Sequence, residues 1–128
     1  MAVSGVTFSS ASLVSTAAYE GVPVNPSGVW LEGTGQLACA LGDRDGGRAD
    51  ARRAEELLAQ VRVAQTRVGQ DQTVGGRPLP PASGVVAASS ALDTGFGFGY
   101  FQSQHIGATA WYVMAVEGAN PFRRYGLR

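Results

Sequence analysis

Three stretches of this 128-residue chain suggest helices, one by the spacing of its apolar residues and two by a shared Gly-punctuated design. The clearest stripe is Ala54, Leu57, Leu58, Val61, Ala64 and Val68. Arg52, Arg53, Glu55, Glu56, Arg62 and Arg67 fall mostly on the other faces, so the pattern predicts a one-faced, packed helix. Asp50 reads as its cap, and the helix is expected to run to about Val68. Two shorter segments, Val29 to Leu41 and His105 to Val116, share one design. Each opens on a large or polar residue, passes a Gly and a Thr, enters small and aliphatic residues, and stops at Gly42 or Gly118. Helices are expected from about Trp30 to Leu41 and from about Ile106 to Glu117. Gly33 and Gly35 inside the first cost about 1 kcal/mol each relative to Ala, which implies close approach by a neighbouring helix or a ligand.

The segments between are less regular. Val3 to Phe8 is expected as a short strand or extended arm, and Ser10 to Tyr19 as a helix opened by a Ser cap. Two prolines break the stretch Gly21 to Gly28, and Gly42 to Gly47 reads as a turn. Gly69 to Ser83 is a long connection containing Gly75, Gly76, Pro78, Pro80 and Pro81. Val85 to Leu92 fits a helix or a strand. From Gly95 to Phe101 glycine alternates with aromatics, a two-residue period that suits an extended segment with its rings on one face. Asn120-Pro121-Phe122 closes the last helix, and residues 123–128 form a short basic tail. The fold expected is all-α, built of antiparallel helical hairpins with long Gly/Pro-rich loops, in a single domain over residues 1–128.

Composition narrows the function classes. Ten basic residues, all Arg, face ten acidic ones, so no basic stripe argues for nucleic acid as a partner. Arg without Lys reads as the codon composition of a GC-rich genome. Cys39 is the only cysteine, which excludes an internal disulfide and a Cys-based zinc site. It stands among Leu37, Ala38, Ala40 and Leu41 and reads as a small buried hydrophobe. No window approaches the run of about 20 apolar residues that crosses a bilayer, so no membrane role is expected. The N-terminal residues lack the charged start and compact apolar stretch of a signal peptide.

The segment Val-Trp-Leu-Glu-Gly-Thr-Gly-Gln at residues 29–36 opens one helix. A second helix follows, with Gln65 near its end and a Gly-Gly-x-x-Leu-Pro loop after it. Beyond the aromatic stretch comes Gly-Ala-Thr-Ala-Trp-Tyr-Val-Met-Ala-x-x-Gly-x-Asn-Pro-Phe, at residues 107–122. Over residues 20–122 this arrangement resembles the C-terminal hairpins of the six-hairpin glycosidase-like (α/α) toroids. It is similar, less closely, to the terpenoid cyclase and prenyltransferase toroids. The resemblance implies a partial (α/α) toroid, a C-terminal portion whose N-terminal hairpins are missing or supplied by copies of itself. It also implies a carbohydrate-related module that contributes part of a sugar-binding cleft, not a complete enzyme alone.

Glu32 is then the candidate catalytic residue, a general acid or hydroxyl anchor at a helix head, with Trp30 stacking on a sugar face. An acid in a first turn also complements the helix dipole without any ligand. Gln36, one turn later, is a candidate supporting contact for Glu32. His105 is expected to bond a substrate, to orient Glu32, or to cap its helix, and Tyr100, Phe96 and Phe98 to line a cleft mouth or fill core. Trp111, Tyr112 and Met114 are expected between helices. Glycoside hydrolysis usually wants a second carboxylate at about 5–9.5 Å, and Glu20 and Asp93 are the candidates, with an ordinary turn acid as the alternative for each. Asp43 and Asp45 faintly suggest a calcium loop, but its twelfth position is Ala54, so a solvated turn is expected. A lone His offers no metal set, and no phosphate loop, nucleophile elbow or dinucleotide motif is present, so neither metal nor cofactor is expected. The alternative is a non-catalytic module that packs its helix faces against copies of itself or a helical partner. A terpenoid-type cyclase would want an Asp-rich motif that this sequence lacks.

Overall fold

The computed structural model describes residues 2–44 and 46–123. Its helices are α1 (Leu31–Asp43), α2 (Gly47–Arg67) and α3 (Ile106–Val116), preceded by a short 3-10 turn at Ala11–Val14. Six two-residue strands, β1 (Ala18–Tyr19) to β2 (Val22–Pro23), β3 (Thr73–Val74) to β4 (Arg77–Pro78), and β5 (Leu92–Asp93) to β6 (Gly99–Tyr100), pair as three antiparallel sheets. The molecule is therefore mixed α and β, and the expectation of an all-α partial toroid of antiparallel helical hairpins is overturned.

The three helices lie within a few residues of their expected places, α2 from its apolar stripe and α1 and α3 from the design they share. α2 starts earlier than expected, because Asp50 does not cap it. Asp50 sits in the first turn and takes the Arg44 guanidinium, which spans the turn from α1 and holds the carboxyl below its ordinary range. The Ser10 to Tyr19 helix does not form. The chain makes the 3-10 turn and then the β1–β2 hairpin, with positive φ at Glu20 (52°) and Gly21 (80°). The long connection also hides a hairpin. Gly75 and Gly76 adopt φ of 55° and 76°, which a two-residue turn demands and glycine supplies without steric cost. Val3 to Phe8 is an extended arm whose described pairing is a single bridge from Val6 to Trp30.

Val85 to Leu92 is neither helix nor regular strand except at its last residue. Val85, Val86, Ala88 and Leu92 are wholly buried, and the backbone of residues 85–89 bonds on both edges. On one edge Leu31 N–H donates to the Ala87 carbonyl and Ser89 N–H to that of Val29, both at 3.0 Å. On the other, Ala87 N–H reaches Ser103 (2.8 Å), Ala88 N–H reaches Phe101 (3.1 Å), and His105 N–H donates to Val85 (2.9 Å). This strap therefore joins the residues that lead into α1 to those that lead into α3. Both helices start from it at one level.

One core cluster shows how the helices run. Leu31 and Ala108, near the starts of α1 and α3, pack with Val61 and Ala64 near the end of α2. Helices α1 and α2 are therefore antiparallel, whereas α1 and α3 are parallel. A Cβ at Gly35 would lie 3.2 Å from the Trp111 Cβ and 3.3 Å from its carbonyl carbon, so α3 rests on bare α1 backbone there. Replacing Gly35 with Val should cost about 1–3 kcal/mol by overpacking this contact. Gly42 of the same helix has nothing within 4 Å of its Cβ direction, and Gly42→Ala should stabilise by up to about 1 kcal/mol. Urea denaturation midpoints of the two variants should move in opposite directions; a Gly35→Val midpoint at or above that of the wild type would show that α3 does not seat on α1 in this way.

Candidate functional site

Two helix starts side by side bring Glu32 and His105 together. Glu32 occupies the first turn of α1, and His105 is the N-cap of α3. Glu32 Oε2 lies 3.7 Å from His105 Nδ1, with the side chains 21% and 35% exposed, so both remain reachable from solvent. At Gly107 a Cβ would fall 2.7 Å from that carboxylate oxygen, so a side chain there would push the acid aside. The positive ends of two parallel helix dipoles thus converge on one negative charge. Gln36 Nε2 donates to Glu32 Oε1 at a long 3.4 Å, one turn down α1.

The cap fixes the chemistry of the imidazole. Ala108 N–H donates to His105 Nδ1 at 3.2 Å, so Nδ1 carries a lone pair and the proton of the neutral ring sits on Nε2. Nδ1 and Glu32 Oε2 are then both acceptors, which accounts for their separation. The pair offers a ligand one N–H donor and one carboxylate acceptor.

One aromatic ring meets this pair, and others follow behind it. Tyr100 meets His105 edge to face at 5.6 Å between centroids, Phe98 meets Tyr100 at 5.8 Å, and Phe8 touches Trp30 (4.7 Å), Tyr100 (5.8 Å) and Phe96 (6.2 Å). All five site residues expected from the sequence, Trp30, Glu32, Gln36, Tyr100 and His105, therefore fall in one connected cluster. Trp30 lies with its ring against Gly33, and its buried Nε1 has no protein acceptor among the described residues. The open aromatic surface belongs to Phe96 (75% exposed) and Phe98 (48%), at the tip of the β5–β6 hairpin. Phe8 and Gly107 are the members that sequence reasoning missed. Nothing in Thr7-Phe8-Ser9 signals a contact with residues 30 and 100, and Gly107 passed as ordinary helix-packing glycine.

The candidate second acids are placed elsewhere. Glu20 is exposed at the β1–β2 turn. Asp93 is an anchor: Ser15 Oγ–H donates to its Oδ2, while Tyr19 O–H (2.7 Å) and Gly95 N–H (2.9 Å) donate to Oδ1. These bonds, that from Ser15 first, hold the Asp93 carboxyl below its ordinary range, and Asp93 in turn raises the Tyr19 phenol. Asp43 binds Asn120 and Arg123, and Asp45 lies outside the described residues, as does the tail beyond Arg123.

Three hollows accompany these groups. His105 lines one of about 430 Å³ with Leu79, Gln104, Ile106 and Thr109. Gln36 lines another of about 500 Å³ with Ala40, Trp111, Asn120 and Phe122. A larger one, about 750 Å³, lies by Asn25, Arg67, Gln72 and Gln102, whose three carboxamides already bond within the protein. No family model, curated protein sequence or solved structure matches this chain.

Asp93 generates an acid-sensitive prediction. Its folded pKa lies below the unfolded value of about 3.8, so its contribution is complete above that pH and is lost as pH falls through the folded value. Asp93→Asn should lower the melting temperature at neutral pH. Thermal melts from about pH 7 down to about pH 2 should show a shallower acid limb in the variant than in the wild type. Parallel curves would remove Asp93 from the set of groups that set acid stability.

Proposed function

We propose that this chain binds carbohydrate at the Glu32–His105 pair and supplies part of a sugar-binding cleft. The observation that carries the reading is a carboxylate acceptor and an imidazole N–H donor, 21% and 35% exposed, with the exposed ring of Phe98 reached through Tyr100. A neutral sugar presents the complement, since each hydroxyl both donates and accepts and the C–H faces of the ring pack on aromatic surface. Within this reading Glu32 accepts from a sugar hydroxyl, Gln36 steadies it, and the β5–β6 tip forms the stacking wall. A binding role fits better than hydrolysis by this chain alone, because Asp93 is engaged as an anchor and Glu20 stands at an exposed turn.

A second reading rests on a different surface. Helix α3 carries no charged residue, yet Ile106 is 89% exposed, Val113 52% and Val116 55%. A helix apolar on every side is ordinarily covered, so this face favours self-association.

Each reading has its own test. Calorimetry with sugars chosen from a glycan array should give binding that weakens about 10- to 100-fold in Glu32→Gln, the range for one charge-assisted hydrogen bond. The proposal fails if no sugar binds, or if the folded variant binds as the wild type does. Light scattering on eluted fractions should find a dimer or larger species that Ile106→Lys with Val113→Lys converts to monomer. A monomeric wild type at high concentration would remove the second reading.

A further inference from the structure

We infer that the hollow between the later turns of α1 and α3 is a second carbohydrate subsite, so that the ligand is an oligosaccharide rather than a single sugar. This rests on the reading of Glu32 and His105 as sugar contacts. Glu32, Gln36 and Ala40 follow one another at four-residue spacing and so lie in line along one face of α1. Gln36 belongs to both ends of that line, since its Nε2 donates to Glu32 while its side chain borders the hollow of about 500 Å³. From Glu32 to Ala40 the helix rises about 12 Å, room for a disaccharide or trisaccharide but more than one ring needs.

The far end of the line holds a second aromatic platform. Trp111 and Phe122 stack at 5.9 Å with their planes 22° apart. Phe122 is 82% exposed, so burial does not hold its ring in place. Hydrogen bonds hold its backbone: the Asn120 Oδ1 accepts from Phe122 N–H (2.9 Å), and Asn120 Nδ2 is tied to Asp43 Oδ2 (2.8 Å), which anchors the loop to the end of α1. An open ring on a braced loop, facing a recess edged by a carboxamide, offers the stacking surface and polar contact that a second sugar unit takes.

Calorimetry with mono-, di- and trisaccharides of glucose, mannose and xylose tests the subsite. In the series that binds, the trisaccharide should bind at least about tenfold tighter than the monosaccharide. Phe122→Ala should erase that increment while leaving monosaccharide affinity within about twofold, and Glu32→Gln should weaken all lengths alike. Trp111→Ala should act like Phe122→Ala, but Trp111 also seats α3 on Gly35, so the exposed Phe122 carries the test if the Trp111 variant fails to fold. Affinity that is flat with length, or a Phe122→Ala loss equal for every length, would overturn the subsite and leave the Glu32–His105 reading standing. A Phe122→Ala effect on oligomeric state without one on length dependence would assign the platform to self-association and also overturn it. Absence of binding by every sugar would overturn both readings together.

Discussion

Two helices can lie parallel at backbone contact only where side chains leave room, and that constraint governs this molecule. Gly35 clears α1 for the Trp111 backbone, and Gly107 clears α3 for the Glu32 carboxylate. With both gaps the helices share a level, and their first turns end up facing one another. A side chain at either position would part the helices or displace the acid. The pairing of Glu32 with His105 is thus a product of two absences as much as of two functional groups.

The helices were legible from signals within their own segments, an apolar stripe for α2 and a shared Gly-punctuated apolar design for α1 and α3. Ala54, Leu57, Val61 and Ala64 face the core, as their spacing requires. The small sheets were illegible for the opposite reason. A two-residue strand has no measurable period, so β1 to β4 announce themselves only through their turns. Gly75-Gly76 was such an announcement, lost among three nearby prolines. At residues 18–23 the fault was different: Ala17, Ala18 and Tyr19 suit a helix locally, but Asp93 takes the Tyr19 hydroxyl and draws the segment into a hairpin. A long-range hydrogen bond prevailed over propensity, and no local window contains it.

The candidate site was readable in its members but not in its organisation. Trp30, Glu32 and Gln36 stand within two turns of one helix, and their proximity follows from sequence alone. That His105 and Tyr100 join them depends on the strap at residues 85–89, whose backbone bonds set both helix starts. Asp93 stood between a second carboxylate and an ordinary turn acid because turn position is visible in sequence and hydrogen-bond partners are not. Its three donors come from residues 15, 19 and 95, two of them more than seventy positions away.

That strap also bears on how the chain reaches its native state. Its two edges need partners from the first quarter of the chain and from the last, so neither half can complete its ladder while the other is unmade. Formation of α2 is a local event, whereas seating the strap must wait for distant segments to meet, and such closure slows assembly relative to simple helical bundles. The expected behaviour is all-or-none: a chain emerging from synthesis gains little until residues beyond 105 are free, and cleavage within 69–84 would leave the strap joined covalently to α3 but no longer to α1.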